Sequence, residues 1–405
     1  MKFETSPAIP VSAATHGNRL HPIVAGGWRE TLKAAAFAFA LSRLIVLLSA
    51  MLTIAMAQQW GGAQGNADQI RLLTPASVDT VARYALSNDA NWYLSIAQNG
   101  YETRPFNADQ QANWAFFPLH PYLWRILNAT GLPPAWVGIA FSNLLFLLAL
   151  IQSHRWIKAI RDKATADRTV LCIALFPTAY FFSLPWTESL FLLLTASSLL
   201  ATQQSQWGRA TMANALASAT RPTGVLLTAL MWWESRNGRR LPPPHLWVLA
   251  VLGASGLFVF MLLLWQKTGN PLAFSDIQAA WGRDGGSLTK HLRRWIMDPL
   301  LLTEAWNTRW INNGGLLLGL TAVVWLWRQR LRALALFAFV SLLLPWSTGT
   351  LMSMGRYVVS CLPIFLAFGC WLDRPSRQIA WFVLSACALA GMTACFVLGA
   401  TFAGA

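Results

Sequence analysis

From Thr31 to Ala57 the chain runs for 27 residues with only Lys33 and Arg43 charged, and apolar runs of similar character recur to its C-terminal end. A helix needs roughly 20 mostly apolar residues to cross the hydrocarbon core of a bilayer. The recurrence therefore predicts an all-α polytopic membrane protein. Composition agrees, because 405 residues that are 55% hydrophobic and only 12% charged are too apolar for an ordinary soluble domain. Further spans are expected near 133–152, 169–185, 187–203, 246–265, 311–328, 332–346, 356–372 and 379–400. In the segment 209–233, "ASATRPTGVLL" interrupts the apolar pattern at Arg221-Pro222 and relaxes it at Gly224. That segment reads either as one broken span or as a two-helix hairpin, and about ten transmembrane helices are expected in all.

The polar start carries Lys2, Arg19, Arg29 and Lys33 and lacks a short apolar region with a cleavage site. It reads as a cytoplasmic tail, residues 1–30, before a retained first span. The rest, 31–405, reads as a single transmembrane domain with extracytoplasmic loops near 58–132 and 266–310. A formal charge of +15 raises the question of nucleic acid. Topology explains it more simply, because 18 of the 31 Lys and Arg fall in the tail and the short loops of one side. The five cysteines lie in apolar runs without metal-type spacing and read as small buried hydrophobes.

On this topology the polar and aromatic clusters share the extracytoplasmic side. "SNDANWYLSIAQNGYE" places Asn88, Asp89, Trp92, Tyr93 and Tyr101 just beyond the first span. Asp89 opens a helical run that Gly100 stops, so spacing alone reads it as an N-cap, a role compatible with presenting a carboxylate to a cavity. "NWAFFPLHPYLWRIL" reads as an interfacial aromatic belt, with His120 as a titratable group inside it. Glu188, at the outer end of a span, fits a cap and dipole role or a functional carboxylate equally. Arg221 within an apolar segment needs an anion or a wet cavity. Arg356, beside Tyr357, opens another span with donors suited to phosphate oxygens, or forms a structural salt bridge to Glu188 or Asp89. In "QKTGNPLAFSDIQAAWGRDGG", Lys267, Asp276, Gln278, Trp281 and Arg283 are candidates for the border of a substrate groove, although turn residues explain part of that segment. Lys290, His291, Arg293 and Arg294 suit lipid headgroups.

The ordered set "NDANWYLSIAQNGY", "AFFPLHPYL", "LFPTAYFFSLPWTESLFLLL", "ATRPTG", "TGNPLAFSDIQAAWGR" and "GRYVVSCLPIFLAFG" resembles the PIG-V-type mannosyltransferases. Eukaryotic members, the GPI mannosyltransferase 2 type, add the second mannose in GPI-anchor assembly, and members occur in bacteria. The resemblance spans roughly residues 85 to 370 and departs from the family pattern at Asn88, where a Trp is usual. It implies a GT-C-type glycosyltransferase with a long first extracytoplasmic loop, using a sugar carried on polyprenyl or dolichyl phosphate.

By that resemblance Asp89 is the catalytic acidic residue. It would take the proton from a hydroxyl of a glycan, glycolipid or protein acceptor, while Arg221, Arg356 and Tyr357 hold the donor phosphate. Asn88, Trp92, Tyr93, Tyr101, His120, Glu188, Trp281 and Arg283 are expected substrate or acceptor contacts. No cofactor is expected. A Mg or Mn requirement stays open, with Asp89 and Glu188 as the pair that would hold the ion. The compact form suggests a bacterial inner-membrane enzyme with a periplasmic active site, no nucleic acid partner and an acceptor other than a GPI anchor. The alternatives are a lipid-linked sugar flippase or transporter, which would more naturally show internal repeats, and a GT-C enzyme using a different sugar.

Overall fold

A computed structural model describes residues 27–61, 84–236, 241–283, 307–347 and 351–399, with residues 82, 293, 297 and 302–303 between them. The expectations for residues 1–26, for 62–81 of the first loop, and for Lys290, His291 and Arg294 lie outside the described residues. The described part is mostly helical, with one two-residue ladder pairing Leu302–Thr303 and Asn307–Thr308.

The longest apolar runs give the longest helices. These are α1 (Gly27–Gly61), α4 (Pro134–Ile160) and α15 (Pro375–Val397), with two shorter helices, α2 (Asp89–Asn99) and α3 (Leu119–Asn128), between α1 and α4. α1, α4 and α15 alone among the described helices are unbroken, long and apolar enough to cross a membrane. A fourth span follows if α9 (His245–Gly253) and α10 (Ser255–Thr268), bent by 47° at Ala254, count as one. The other expected spans are shorter or interrupted. The one expected at 169–185 becomes α5 (Lys163–Leu175), which stops before Pro177 and is followed by a 3₁₀ turn, Ala179–Ser183. The one expected at 356–372 divides into α13 (Met354–Val359) and α14 (Leu362–Trp371), with Pro363 in the first turn of the second. α6 (Glu188–Gln203), α11 (Arg309–Arg328) and α12 (Arg332–Ser347) follow the predicted runs closely.

The segment 209–233 is a hairpin. α7 (Trp207–Ser218) and α8 (Val225–Ser235) turn back on each other at Arg221-Pro222, because Thr211 and Asn214 both approach the Met231 sulfur at 3.7 Å. In a single broken span those positions would lie roughly 25–30 Å apart, at 1.5 Å of rise per residue. The turn follows from sequence. A residue preceding proline is pushed into extended backbone, and Arg221 adopts φ −154° and ψ 151°. Gly224 then crosses the end of α7 so closely that a Cβ would run into the Ala217 carbonyl.

Side-chain ties order the two ends of the bundle. Lys158 at the end of α4 reaches Glu30 at the start of α1 at 3.3 Å, and Arg168 donates to the Gly369 carbonyl at 2.8 Å near the end of α14. The other end of α4 receives the Trp124 indole at the Pro134 carbonyl, 3.1 Å away. Twenty-seven residues of helix separate these ends, about 40 Å. Glu30, Lys158, Lys163 and Arg168 thus gather at one end, and α2, α3 and the first turn of α6 lie at the other. Between them α1 leaves Phe37, Leu44 and Leu52 exposed, and α15 leaves Ile379, Val383 and Leu384 exposed, as a lipid-facing surface requires. Cys387 on α15 shares that exposure, and Cys370 and Cys395 are half-buried. Of the five cysteines expected to be buried, only Cys172 and Cys361 are.

Candidate active site

Four ionised side chains that lie far apart in sequence meet at the α2 end of the bundle. Arg356 donates from Nη1 to Asp89 Oδ2 at 2.5 Å and from Nε to Glu188 Oε1 at 2.6 Å. Arg221 reaches the same Glu188 oxygen at 2.5 Å. It also donates to the Thr187 hydroxyl at 2.9 Å and the Ser360 hydroxyl at 3.0 Å. Glu188 is wholly buried, both arginines are nearly so, and the Asp89 side chain keeps 27% of its exposure. The chain reads Arg221, Glu188, Arg356, Asp89, running from the interior to an accessible carboxylate. Arg356 lies over the Trp186 ring at 4.3 Å and Arg221 over Phe191 at 5.7 Å, contacts that favour a cation on an aromatic face.

Each position is set locally. Asp89 is the first helical residue of α2 and does not cap it; the cap position is Asn88, which makes no side-chain cap bond. Asn88 has φ 54° and ψ −128°, a positive-φ backbone outside the left-handed helical region that side chains rarely adopt. Gly100 ends α2 at φ 82°, as expected from the sequence. Glu188 likewise opens α6 without capping it, and the preceding Thr187 spends its hydroxyl on Arg221. Arg356 is fixed by α13, whose first amide donates to Asn312 at 3.2 Å, while Thr178 donates to the Gly355 carbonyl at 3.2 Å.

The other predicted residues separate into rim and wall. Trp92 stacks on Phe116 at 5.7 Å and meets the edge of Trp281 at 5.9 Å, so α2 is joined to the loop that carries Arg283. Tyr93 is buried against Phe116 and His120, and burial followed by the nearby Asp89 charge raises its pKa, so it stays a neutral phenol. Tyr357 is half-buried beside Arg356. Tyr101 is committed elsewhere: its hydroxyl donates to the Phe116 carbonyl at 2.6 Å and its ring packs on Tyr122 and Phe260. It braces the first loop and does not reach the ion-pair chain. Asp276 accepts from Asn270 at 2.8 Å and closes its own turn.

His120 is wholly buried among Tyr93, Trp124 and Phe141, and neither ring nitrogen has a hydrogen-bond partner among the described residues. Burial lowers its pKa to about 4, a shift that the Glu188 charge opposes. The ring is therefore neutral at pH 7. Between about pH 4 and 6.5 the unfolded chain binds the extra proton, so this group's contribution to stability is complete above the unfolded value and lost as pH falls through the folded one. The expected outcome is a thermal midpoint in detergent that drops on acidification across that window, with His120→Phe removing a component of about 2–4 kcal/mol. An identical acid profile in the variant would refute the neutral, buried assignment.

Sequence reasoning did not single out Trp186 or Ser360, and read Thr187 with Glu188 only as fitting a cap and dipole role. Trp186 and Thr187 directly precede Glu188 in "LPWTESL", and Ser360 lies one turn after Arg356, so adjacency was the available signal. No three His, Cys, Asp or Glu side chains converge as metal ligands among the described residues. Asp89 and Glu188 both engage Arg356, so an ion bridging them would have to displace its guanidinium; the donor set does not fit one, and no step is assigned to a metal.

No curated protein matches the chain in sequence. In structure it is similar to the Archaeoglobus fulgidus oligosaccharyltransferase. The apo form gives a TM-score of 0.45 at 13% identity, over 89% of this chain and 56% of that one. The form in complex with zinc and sulfate gives 0.46 at 13% identity, over 88% and 53%. The archaeal oligosaccharyltransferase AglB with an inhibitory peptide and a dolichol-phosphate gives 0.42 at 14%, over 89% and 56%. The chain thus spans little more than half the length of the archaeal protein. The family described as Mannosyltransferase (PIG-V) matches residues 33–235, half of the chain and the part that carries Asp89, His120, Glu188 and Arg221. With its exposed apolar helices and this match, the chain is an integral membrane protein that belongs to the PIG-V mannosyltransferase family.

Proposed function

We propose that the protein moves a mannosyl group from a polyprenyl-phosphate donor to a hydroxyl of a glycan, glycolipid or protein acceptor. The observation that carries this reading is the Asp89 carboxylate, about a quarter exposed, at the open end of a buried ion-pair chain. Its Oδ2 is held by Arg356, and its Oδ1 has no hydrogen-bond partner among the described residues. A carboxylate oriented through one oxygen and free at the other suits a general base, which must lie within about 3 Å of the proton it takes.

The bonds balance without a cofactor. The acceptor oxygen attacks the anomeric carbon, its proton passes to Asp89, and the bond from that carbon to the phosphate oxygen breaks. The electron pair leaves on the lipid phosphate through an oxocarbenium-like transition state. Arg356 and Tyr357 would border that phosphate and donate hydrogen bonds to it as charge develops, with Arg221 behind them in the same ion-pair chain. Glu188 holds both guanidiniums in register for this task. Trp92 and Trp281 offer flat apolar faces at the rim for a sugar ring, and Asn88 stands exposed beside them. The lipid tail would lie between helices in the bilayer.

Membrane orientation follows the charge distribution. The end holding Lys158, Lys163 and Arg168 suits the cytoplasm, which leaves the ion-pair chain on the extracytoplasmic side, periplasmic in a bacterial inner membrane. The test is the product formed in membranes from β-mannosyl polyprenyl phosphate. Single displacement predicts an α-linked mannoside from this donor and none from GDP-mannose. A β-linked product, or transfer that depends on the nucleotide sugar, would overturn the reading.

A further inference from the structure

We propose that Arg283 supplies a positive charge, unpaired among the described residues, that anchors the donor phosphate, a role that rests on the transferase reading above. The argument begins with the charge balance of the ion-pair chain. Arg221 and Arg356 share one oxygen of Glu188, and Arg356 also holds Asp89. Two guanidiniums face two carboxylates, so the chain as a whole is neutral. A sugar phosphodiester brings one negative charge and departs as a monoester with more. Bound against a neutral cluster with two carboxylates, it would be held by hydrogen bonds and repelled by Asp89.

Arg283 corrects that balance. Among the described residues it forms no ion pair. Its hydrogen bonds go to neutral groups, the Gln278 side-chain oxygen at 2.9 Å and, more weakly, the Ser353 hydroxyl at 3.5 Å. Its Nε is buried and has no partner among the described residues. A buried guanidinium N–H without an acceptor is costly unless a ligand completes it. Arg283 also lies close enough to Asp89, Arg356 and Tyr357 to interact with all three electrostatically.

The local fold holds it there. Gly282 takes a left-handed φ of 70°, which turns the chain immediately before Arg283. Trp281 is pinned edge-on between Trp92 and Phe116, and Gln111 donates to the Ala280 carbonyl at 3.3 Å. Ser353, the other contact, has a left-handed φ of 64° at the cap of α13, one turn from Arg356 and Tyr357. Arg283 thus bridges the α2 aromatic rim and the helix that carries Arg356. A phosphate between Arg283 and Tyr357 would place the anomeric carbon on the Asp89 side of the cluster, with charge-assisted hydrogen bonds from a planar fork.

The experiment measures binding to the purified full chain in detergent, with undecaprenyl phosphate and undecaprenol as probes. The wild type is expected to bind the phosphate at least about tenfold more tightly than the alcohol, the span of one charge-assisted hydrogen bond. Arg283→Gln is expected to lose that preference while its affinity for the alcohol stays unchanged, and Arg283→Lys to keep part of it. Inorganic phosphate at the same concentration should not compete. The thermal midpoint of each unliganded variant separates loss of the contact from loss of the fold, and Arg283→Lys carries the test if Arg283→Gln does not fold. Full phosphate preference in Arg283→Gln would overturn the role of Arg283 and leave the donor reading standing. Absence of any preference in the wild type, or equal competition by inorganic phosphate, would overturn the lipid-phosphate donor itself.

Discussion

Replacing Glu188 with alanine is expected to destabilise the protein by about 3–5 kcal/mol, the usual consequence of removing one partner from a buried ion pair. The reason is specific to the sharing of Oε1. Both Arg221 and Arg356 place a guanidinium on that oxygen, and Glu188 is wholly buried. Without it, two nearly buried cations would face each other across a cavity, with Asp89 alone to offset them. Glu188→Gln keeps the shape and loses the charge, and should fall between alanine and wild type. Thermal unfolding in detergent, followed by the fluorescence of the 22 tryptophans, reads the effect directly. A Glu188→Ala protein that unfolds at the wild-type temperature would show that the carboxylate does not organise the arginines.

Asp89→Asn should behave in the opposite way. Asp89 is bound by one guanidinium, which Glu188 also holds, and its side chain keeps about a quarter of its exposure. The isosteric amide can still accept from Arg356, so the fold should survive with little change in thermal midpoint. Activity should not survive, because an amide cannot take the proton of the acceptor hydroxyl. A positioned general base contributes roughly 10²–10⁴-fold, and a loss of that size is expected in transfer rate with donor binding largely kept. The two variants therefore divide the cluster by function: Glu188 assembles it and Asp89 does the proton chemistry.

How far sequence reached depends on whether the cause of a feature was local. The helix stop at Gly100 and the break at Arg221-Pro222 follow from backbone rules and were readable in place. Long apolar runs gave the helices but overstated their continuity, since Pro177 and Pro363 shorten or divide what hydropathy alone joins. The hairpin at 209–233 stayed open because only the approach of Met231 to Thr211 distinguishes it from a broken span. Asp89 looked like an N-cap because spacing sees only its own helix, whereas its partner Arg356 lies 267 residues away. Glu188 was ambiguous for the same reason. Tyr101 sits in the same motif as Asp89, yet its hydroxyl is drawn to Phe116, a contact that no periodicity encodes.

The central claim is that Asp89, at the open end of the Arg221, Glu188 and Arg356 chain, is the base for sugar transfer from a lipid phosphate. The most direct measurement is transfer of radiolabelled mannose from polyprenyl-phosphate mannose in membranes that contain equal amounts of wild-type and Asp89→Asn protein. The account predicts transfer by the wild type and a fall of at least about a hundredfold in the variant. Transfer retained by the Asp89→Asn protein would contradict it.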